Sequence, residues 1–384
     1  MYTTKSVSCC CIFALLAMIT ATYILFDEDN ISQQKTFYPK RLSHQTNQQF
    51  NQSVIPEEIK ERKIIILFWK PLFGRYIKIN IDRKCGNCEV TYDTNHLETS
   101  DAVVIHYTEA RKDSLPDSAK RHSNQMYVFF SMESPFAVSV LRGMQFDSLG
   151  PYFNWTMNYR RDSDIFFPVF EWFEGANIFN GDTSAQYSPK VVQNIISQKV
   201  SQPLALWMAG NCGSTQGAKL RMQLVDELEK AGLLIEKRGG CFGTGKTAPR
   251  GEAYKPFAVK FKFYLSFENA VHCRDYITEK LWKNALDSGL VPVVWGPKRQ
   301  DVEELAPKGS FIFYEDFNSS TDLVQYLKYL DQNETAYIQY FNWRTKQPSP
   351  DQYKLVEHGV DYKRISGMCQ MCKMLTEKNK SKNF

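Results

Sequence analysis

The sequence predicts an α/β fold that follows a single N-terminal transmembrane helix. Short apolar runs without strict alternation recur along the chain, and in the second half helical patterns separate them. Continuous apolar character is typical of strands that are covered on both faces, as in parallel sheets. Strands that alternate with helices indicate α/β architecture.

The N-terminal segment 7–26 contains no charged residue over 20 positions, which is the length that crosses a bilayer core. Lys5 precedes the segment and three acidic residues follow it, so residues 1–6 are predicted to be cytosolic and the remainder luminal. Because the run ends in bulky residues, a retained signal anchor is favoured over a cleaved signal peptide. The polar segment 27–60 is predicted to be a flexible stem.

The predicted elements follow one another in a regular order. The expected strands are 63–69, 101–107 and 125–132 in the first half, and 203–210, 257–269 and 290–297 in the second. An amphipathic helix is predicted at 219–232 and another at 275–289, each ended by a glycine. The net charge of +5 is mild and no Lys/Arg-rich run is present, which argues against a nucleic-acid-binding protein.

Cysteines and sequons indicate an oxidising compartment. Beyond the three cysteines of the apolar segment, seven remain: Cys85, Cys88, Cys212, Cys241, Cys273, Cys369 and Cys372. The two C-x-x-C pairs are compatible with a four-cysteine zinc site, but disulfides are commoner in a lumen. Candidate N-glycosylation sites are Asn51, Asn154, Asn318, Asn333 and Asn379.

The segment GCFGTGKT at 240–247 matches the pattern of a phosphate-binding P-loop at every required position. A functional P-loop needs a helix that begins at its Lys-Thr pair, whereas two prolines and a glycine follow here within nine residues. The segment is therefore interpreted as a Gly-rich surface loop, in which Cys241 is a disulfide candidate with Cys212. A luminal nucleotide hydrolase is the competing hypothesis.

Residues 162–164 form an Asp-Ser-Asp triplet. Acidic D-x-D triplets of this type, here Asp162 and Asp164, can bind a metal ion that holds a sugar nucleotide. Arg160 and Arg161 stand beside the triplet, and ion pairing or a turn would use the same aspartates. A structural role is therefore favoured over metal ligation.

The segment 267–297 is the most informative for chemistry. At 100° per residue, its helix gathers Ile277, Leu281, Trp282, Ala285 and Leu286 in one arc. The opposite arc contains Glu279, Lys280, Lys283, Asn284 and Asp287. Lys280 is suited to neutralising a phosphate and Glu279 to accepting hydrogen bonds from sugar hydroxyls, beside amides that favour anions. The alternative is an ordinary helix with a solvated charged face.

This segment resembles the donor-binding motif of the α1,3-fucosyltransferases, the Lewis-type and core-type Golgi enzymes of glycosyltransferase family 10. The segments FSMESPF, FNWTMNYRRDSDIFFP, GNCGS with LRMQLVDEL, YFNWR and CQMC are also similar to family segments. The likeness covers roughly 64–373. It implies a GT-B architecture with an acceptor-side Rossmann-like domain at 61–195, a GDP-fucose-binding one at 196–345, and a tail at 346–384 that returns to the first domain.

The resemblance implies inverting transfer of L-fucose from GDP-β-L-fucose to the 3-hydroxyl of N-acetylglucosamine in glycoprotein or glycolipid glycans. Glu133 matches the general base, and Arg221 matches a phosphate-binding arginine. The other donor-binding matches are Asn269, Tyr276, Glu279 and Lys280. No metal cofactor is implied for the chemistry, while stimulation by divalent cations is left open. A non-catalytic luminal glycan-binding protein with the same fold is the alternative.

The resemblance also implies that the pairs Cys85/Cys88 and Cys369/Cys372 form two disulfides, whose connectivity the sequence leaves open. Cys273 is then an odd cysteine. The implied location is the Golgi membrane, as a single-pass type II protein, with no nucleic-acid partner and with dimerisation left open. NCGS and RGGC look like the core-type branch whereas DYITEKLWKNAL looks like the Lewis-type branch, so the acceptor glycan is not decided.

Overall fold

The computed structural model describes residues 62–72, 74–111, 113–142, 152–169, 188–243, 245–345, 356–357, 360–361 and 366–380. The predicted transmembrane helix at 7–26, the stem at 27–60 and the sequon at Asn51 lie outside the described residues. Among the residues described, none of the helices combines the length and the apolar character that a bilayer span requires.

The first sheet has six strands, all paired in parallel, in the order β2-β1-β3-β4-β5-β6. The strands are β1 (Ile64–Phe68), β2 (Cys88–Thr91), β3 (Ala102–His106), β4 (Met126–Ser131), β5 (Trp155–Asn158) and β6 (Ile165–Phe166). The three strands that the sequence predicts in this half are confirmed as β1, β3 and β4. All residues of β3 and β4 are buried, as a continuous apolar run predicts for a sheet covered on both faces.

The second sheet has five parallel strands in the order β11-β10-β9-β7-β8. They are β7 (Ala205–Met208), β8 (Ile235–Arg238), β9 (Phe263–Phe267), β10 (Val291–Trp295) and β11 (Ile312–Phe313). Both sheets therefore contain the doubly wound strand order 2-1-3-4-5, which confirms the predicted α/β class. A separate antiparallel pair joins β12 (Val356–Glu357) and β13 (Val360–Asp361).

Helices connect the strands in the described part of the chain. The α-helices are α1 (Pro135–Arg142), α2 (Pro189–Ile196), α3 (Gln216–Lys230), α4 (Tyr254–Ala258), α5 (Arg299–Leu305), α6 (Ser320–Gln332), α7 (Glu334–Ile338) and α8 (Gly367–Lys380). The 3₁₀ helices are Arg83–Cys85, Thr94–His96, Tyr107–Glu109, Ser118–Lys120, Gly240–Phe242, Gly251–Ala253, Tyr314–Asp316 and Gln339–Arg344. Helix α3 begins three residues before the predicted start, because the Thr215 side chain caps it at the backbone N–H of Ala218.

The prediction of an α-helix over 275–289 is wrong in type and in start. The segment forms a π-helix, Lys280–Asp287, in which the backbone N–H of Asn284 donates to the carbonyl of Glu279 at 2.8 Å. The five apolar positions predicted within 275–289 are all buried. Asn284, in the arc opposite the apolar positions, is also buried, and its amide donates to the Tyr264 hydroxyl at 3.0 Å, so the alternative of a fully solvated face does not hold for this residue.

The C-terminal helix α8 is fastened to the first sheet by two disulfides, Cys85–Cys369 and Cys88–Cys372. Met368, Met371 and Leu375 of α8 belong to the apolar core of that sheet. Ala270, Cys273 and Tyr276, from the segment after β9, are buried in the same core. Residues of the second half thus pack directly on the first sheet.

The described sequon asparagines differ in their surroundings. Asn154 and Asn318 are exposed. The side-chain amide of Asn333 donates to Tyr329 Oη at 3.0 Å, and that of Asn379 donates to Asp101 Oδ1 at 3.2 Å. Glycosylation of these residues remains a prediction.

Candidate active site

A cavity of about 830 Å³ lies where the carboxyl ends of the two sheets face each other. On the second sheet, the loops after β7 and β9 flank the point at which the strand order reverses, which is where α/β sheets bind ligands. The structure brings all six predicted catalytic and donor-binding residues to its lining: Glu133, Arg221, Asn269, Tyr276, Glu279 and Lys280.

Glu133 lies on the first-sheet wall, two residues after β4. Its Oε2 accepts a hydrogen bond of 3.1 Å from the hydroxyl of Tyr276, which comes from the second half of the chain. Burial raises the pKa of Glu133 above its ordinary value, and the charge of Lys280 and the Tyr276 hydroxyl only partly offset this effect. A carboxylate with a raised pKa can take a proton from a substrate hydroxyl.

Lys280 lies on the opposite wall in a dense network of hydrogen bonds. Its Nζ donates to Glu268 Oε2 at 2.8 Å, to Thr278 Oγ1 at 2.7 Å and to Glu279 Oε1 at 3.1 Å. Glu268 is fully buried and also accepts from the backbone N–H of Thr278 at 2.9 Å. Sequence reasoning missed Glu268 as a site residue, although it is the central letter of the F-E-N motif.

The charges of Glu279 and Lys280 stabilise each other. Burial acts to raise the pKa of Glu279, but the ammonium of Lys280 and hydrogen bonds from Lys280 and Thr278 hold that pKa below its ordinary value. Burial acts to lower the pKa of Lys280, but Glu268 and Glu279 raise it overall. Both side chains are therefore charged at neutral pH.

Arg221 reaches the cavity from α3 and is almost completely buried. Its guanidinium donates to the carbonyls of Phe267 at 3.0 Å and of Asn211 at 2.8 Å, so it holds the ends of two strands together. Among the described residues, the buried Nε of Arg221 and the buried Oδ1 of Asn269 have no hydrogen-bond partner. Unsatisfied buried polar atoms at a cavity are available to a ligand.

Helix α3 approaches the loop after β9 very closely at Gly217. A Cβ atom at this position would lie 2.5 Å from the carbonyl oxygen of Asn269. The absence of a side chain at Gly217 therefore allows Thr215 Oγ1 to donate to the same oxygen, at 2.6 Å.

The Gly-rich segment 240–247 is not a P-loop in the structure. No α-helix begins at Lys246, and the next helical segments are the 3₁₀ helix Gly251–Ala253 and α4. The disulfide candidate is confirmed, since Cys241 is bonded to Cys212. The interpretation as a surface loop is incomplete, because Gly240, Thr247 and Arg250 line the cavity. Sequence reasoning missed this contribution because no local pattern signals it.

The two aspartates of the acidic triplet are engaged by protein groups. Asp162 Oδ1 accepts from Arg160 Nε at 2.7 Å, and Asp162 Oδ2 accepts from Arg274 at 3.2 Å. Asp164 Oδ2 accepts from the backbone N–H and the hydroxyl of Thr156, both at 2.8 Å. In this structure Asp162 is thus held by two arginines and Asp164 by Thr156, and the structural role favoured from the sequence remains a prediction.

Solved structures share this arrangement of two sheets around a cleft. A structure described as alpha1,3-fucosyltransferase with GDP-fucose superposes with a TM-score of 0.52 at 16% identity, covering 84% of this chain and 94% of that one. A structure of alpha1,3-fucosyltransferase with GDP gives a TM-score of 0.51 at 17% identity, with coverage of 84% and 92%. The chain therefore shares its two-sheet fold with these solved fucosyltransferase structures.

Sequence comparison defines the family. A fucosyltransferase N-terminal family model matches residues 61–170, and the C-terminal model of glycosyltransferase family 10 (fucosyltransferase) matches 197–384. The Homo sapiens 4-galactosyl-N-acetylglucosaminide 3-alpha-L-fucosyltransferase FUT6 is 32% identical over 343 residues, covering 87% of this chain and 86% of that protein. The Bos taurus 3-galactosyl-N-acetylglucosaminide 4-alpha-L-fucosyltransferase FUT3 is 38% identical over 262 residues, covering 67% and 64%. The chain belongs to the fucosyltransferases of glycosyltransferase family 10.

Proposed function

We propose that the chain transfers L-fucose from GDP-β-L-fucose to the 3-hydroxyl of N-acetylglucosamine in glycans, with inversion at the anomeric carbon. The observation that carries the proposal is the pair of opposed walls in one cavity. Glu133 stands on one wall as a carboxylate of raised pKa, and the charged Lys280 stands on the other. Inverting transfer needs this combination of a base and a stabilised leaving group.

The first wall activates the acceptor. Glu133 takes the proton of the acceptor hydroxyl, and the oxygen forms a bond to the anomeric carbon of fucose. The Tyr276 hydroxyl, 3.1 Å from Glu133 Oε2, orients the carboxylate. In this proposal the first half of the chain, 61–195, binds the acceptor glycan.

The second wall receives the leaving group. As the bond between the anomeric carbon and the diphosphate oxygen breaks, negative charge grows on GDP, and Lys280 and the remaining donors of Arg221 neutralise it. Glu279 stays ionised and stabilises the positive charge that develops on the fucose ring. Because protein cations supply the positive charge, the proposal requires no metal cofactor, although it allows divalent cations to stimulate the reaction.

Named relatives and disulfide bonds support a particular acceptor and a particular cellular location. The Homo sapiens relative is named as a 3-fucosyltransferase of 4-galactosyl-N-acetylglucosaminides, which supports a terminal N-acetyllactosamine over the N-glycan core as the acceptor. The Bos taurus relative is named for the isomeric 3-galactosyl acceptor and its 4-hydroxyl, which is the competing acceptor within the family. Among the described residues, the disulfides Cys85–Cys369, Cys88–Cys372 and Cys212–Cys241 support an oxidising lumen, and Cys273 is disulfide-bonded as well rather than an odd cysteine. We propose a single-pass type II protein of the Golgi membrane with its catalytic part in the lumen.

The test is a transfer assay with the full-length chain in detergent micelles. GDP-fucose is offered with N-acetyllactosamine or with a trimannosyl N-glycan core, each with and without EDTA. We expect fucosylated N-acetyllactosamine that persists in EDTA. Product only on the core would contradict the proposed acceptor, and glycan binding without GDP-fucose binding or transfer would favour a glycan-binding protein.

A further inference from the structure

Arg161 links the two halves of the chain beside the cavity. It lies in the turn between β5 and β6 of the first sheet, whereas its partners belong to the second half. Its backbone N–H donates to Asp275 Oδ2 at 3.0 Å and its Nε donates to Asp275 Oδ1 at 2.9 Å. The same guanidinium contacts Glu304 and lies 3.6 Å from Asp301 Oδ1.

Asp275 is an unusual residue to find at this point of the backbone. Its φ of +60° lies in the left-handed region, which costs a residue with a side chain about 1 kcal/mol or more. Its side chain is fully buried, and its backbone N–H donates to Asp301 Oδ2 at 3.2 Å. The contacts with Arg161 and Asp301 therefore maintain a backbone turn that would otherwise relax.

The residue that follows this turn is Tyr276, whose hydroxyl donates to Glu133. The direction of Tyr276 is thus set by the conformation of Asp275, one residue earlier. A second contact supports the ring, because Tyr159 packs edge-on against it with centroids 5.0 Å apart. Tyr159 and Arg161 come from the same strand end, so one segment of the first sheet fixes both Tyr276 and the turn before it.

We propose that Arg161 is a positioning residue for fucose transfer: by holding Asp275 in its left-handed turn, it keeps the Tyr276 hydroxyl on the Glu133 carboxylate. The inference rests on the proposed function of Glu133 as the base. Arg161 itself does not line the cavity. Its effect on the reaction passes through Asp275 and Tyr276.

The predicted signature is a change in pH dependence. The groups that act electrostatically on Glu133 are Lys280, Glu279, Glu268 and Tyr276 from the second half, and Tyr159 beside it. Of these, Tyr276 donates a hydrogen bond that favours the ionised carboxylate. Loss of that bond raises the pKa of Glu133. Because the base must be ionised, the acid limb of the kcat profile then moves to higher pH.

The test measures the kcat–pH profile of Arg161→Gln, Asp275→Gly and Tyr276→Phe in the full-length chain. We expect each acid limb to move up by about one pH unit, which corresponds to the loss of one hydrogen bond to a charged group. We expect kcat to fall roughly tenfold to hundredfold, as for a misplaced catalytic group. In Arg161→Gln and Asp275→Gly, affinity for GDP-fucose should change by less than about twofold, because Glu268 and Thr278 still hold Lys280.

Asp275→Gly tests the same contact if Arg161→Gln does not fold. Glycine adopts a positive φ without strain, so this variant removes the anchor and keeps the turn accessible. Arg161 then retains Asp301 and Glu304 as partners. The matched control is Arg299→Gln, which removes an exposed arginine that pairs with Glu303 and Asp316, and its pH profile should equal that of the wild type.

Two results would overturn the inference. One is an unchanged acid limb in Arg161→Gln and Asp275→Gly, which would leave Arg161 a purely structural residue. The other is a further shift of the acid limb when Arg161→Gln is combined with Tyr276→Phe. The effects of two residues that act through the same hydrogen bond should not add.

An NMR titration of the protein labelled with ¹³C at the glutamate carboxyls measures the pKa of Glu133 without turnover. The Glu133 signal is assigned by its absence in Glu133→Gln. The titration decides the positioning role even if the wild type transfers no fucose, which would be a failure of the proposed function alone.

Discussion

The two walls of the cavity treat the same type of side chain in opposite ways. On the first-sheet wall, Glu133 is partly buried, Tyr276 is its side-chain donor among the described residues, and desolvation raises its pKa. On the second-sheet wall, Glu279 is near a lysine and a threonine hydroxyl that lower its pKa. The number of donors around each carboxylate therefore distinguishes the proposed base from the proposed permanent charge.

The walls also differ in how the chain builds them. On the first wall, the chain runs from the end of β4 to the start of α1 within a few residues, and no non-glycine residue there has a positive φ. After β9 the second wall continues through a long loop to the π-helix, with positive φ at His272 and Asp275. In the part of the chain that the structure describes, positive φ at residues with a side chain is therefore found on the wall that carries the dense polar network, where several contacts maintain it.

Replacement of Glu133 should have the largest effect, because it removes the proposed function of the first wall and leaves the second wall intact. Glu133→Gln keeps the shape of the side chain but removes the proposed base, so we expect kcat to fall by roughly 10²- to 10⁴-fold. Affinity for GDP-fucose, measured by titration calorimetry, should stay within about twofold because Lys280 is untouched. Glu98→Gln, at an exposed carboxylate of the same half, is the control. A large loss of donor affinity in Glu133→Gln would contradict the separation of roles between the walls.

Replacement of Lys280 should produce the complementary defect. Lys280→Met removes the cation and three hydrogen bonds, so we expect GDP-fucose binding to weaken by about tenfold to hundredfold. The buried Glu268 loses its charged partner, so thermal stability should also fall. Lys255→Met, at an exposed lysine that pairs with Asp287 at the end of the π-helix, is the control. Unchanged calorimetric affinity in Lys280→Met would remove this residue from the donor site.

The raised pKa of Glu133 should also be visible in stability. Because the folded-state pKa exceeds the unfolded value, the folded protein binds more protons, and stability falls as pH rises from the ordinary glutamate value through the raised one. Glu133→Gln carries no such penalty. Its melting temperature should exceed that of the wild type at pH 7, and the difference should shrink below pH 4. A difference that is independent of pH would mean that burial does not perturb this carboxyl.

The smallest effect is expected in the Gly-rich loop of the second wall. Lys246→Ala should change GDP-fucose affinity and kcat by less than about twofold, because Lys246 does not line the cavity and no helix begins beside it. Steady-state kinetics with varied GDP-fucose measures both. Abolished nucleotide binding would instead revive the phosphate-loop hypothesis.

The sequence predicted the strands well because buried parallel strands are continuous apolar runs, as in β3, β4 and β10. It also predicted that Glu133, Arg221 and Lys280 would share one site, through a long motif resemblance. It did not predict the π-helix, since the apolar pattern of Leu281 to Leu286 satisfies more than one helical spacing. The roles of Glu268 and Arg161 depend on contacts across the fold, such as the 114-residue separation between Arg161 and Asp275, which no local pattern encodes.

We propose that Glu133 is the base and that the carboxylates of the second wall are not. The most direct measurement is the pH dependence of kcat for the wild type and for the residual activity of Glu133→Gln, with saturating GDP-fucose and N-acetyllactosamine. We predict one acid-limb ionisation in the wild type, with a pKa above the ordinary glutamate value of 4.5, and its disappearance in Glu133→Gln. An acid limb that persists in the variant, or that has a pKa at or below 4.5 in the wild type, would contradict the assignment of Glu133 as the base.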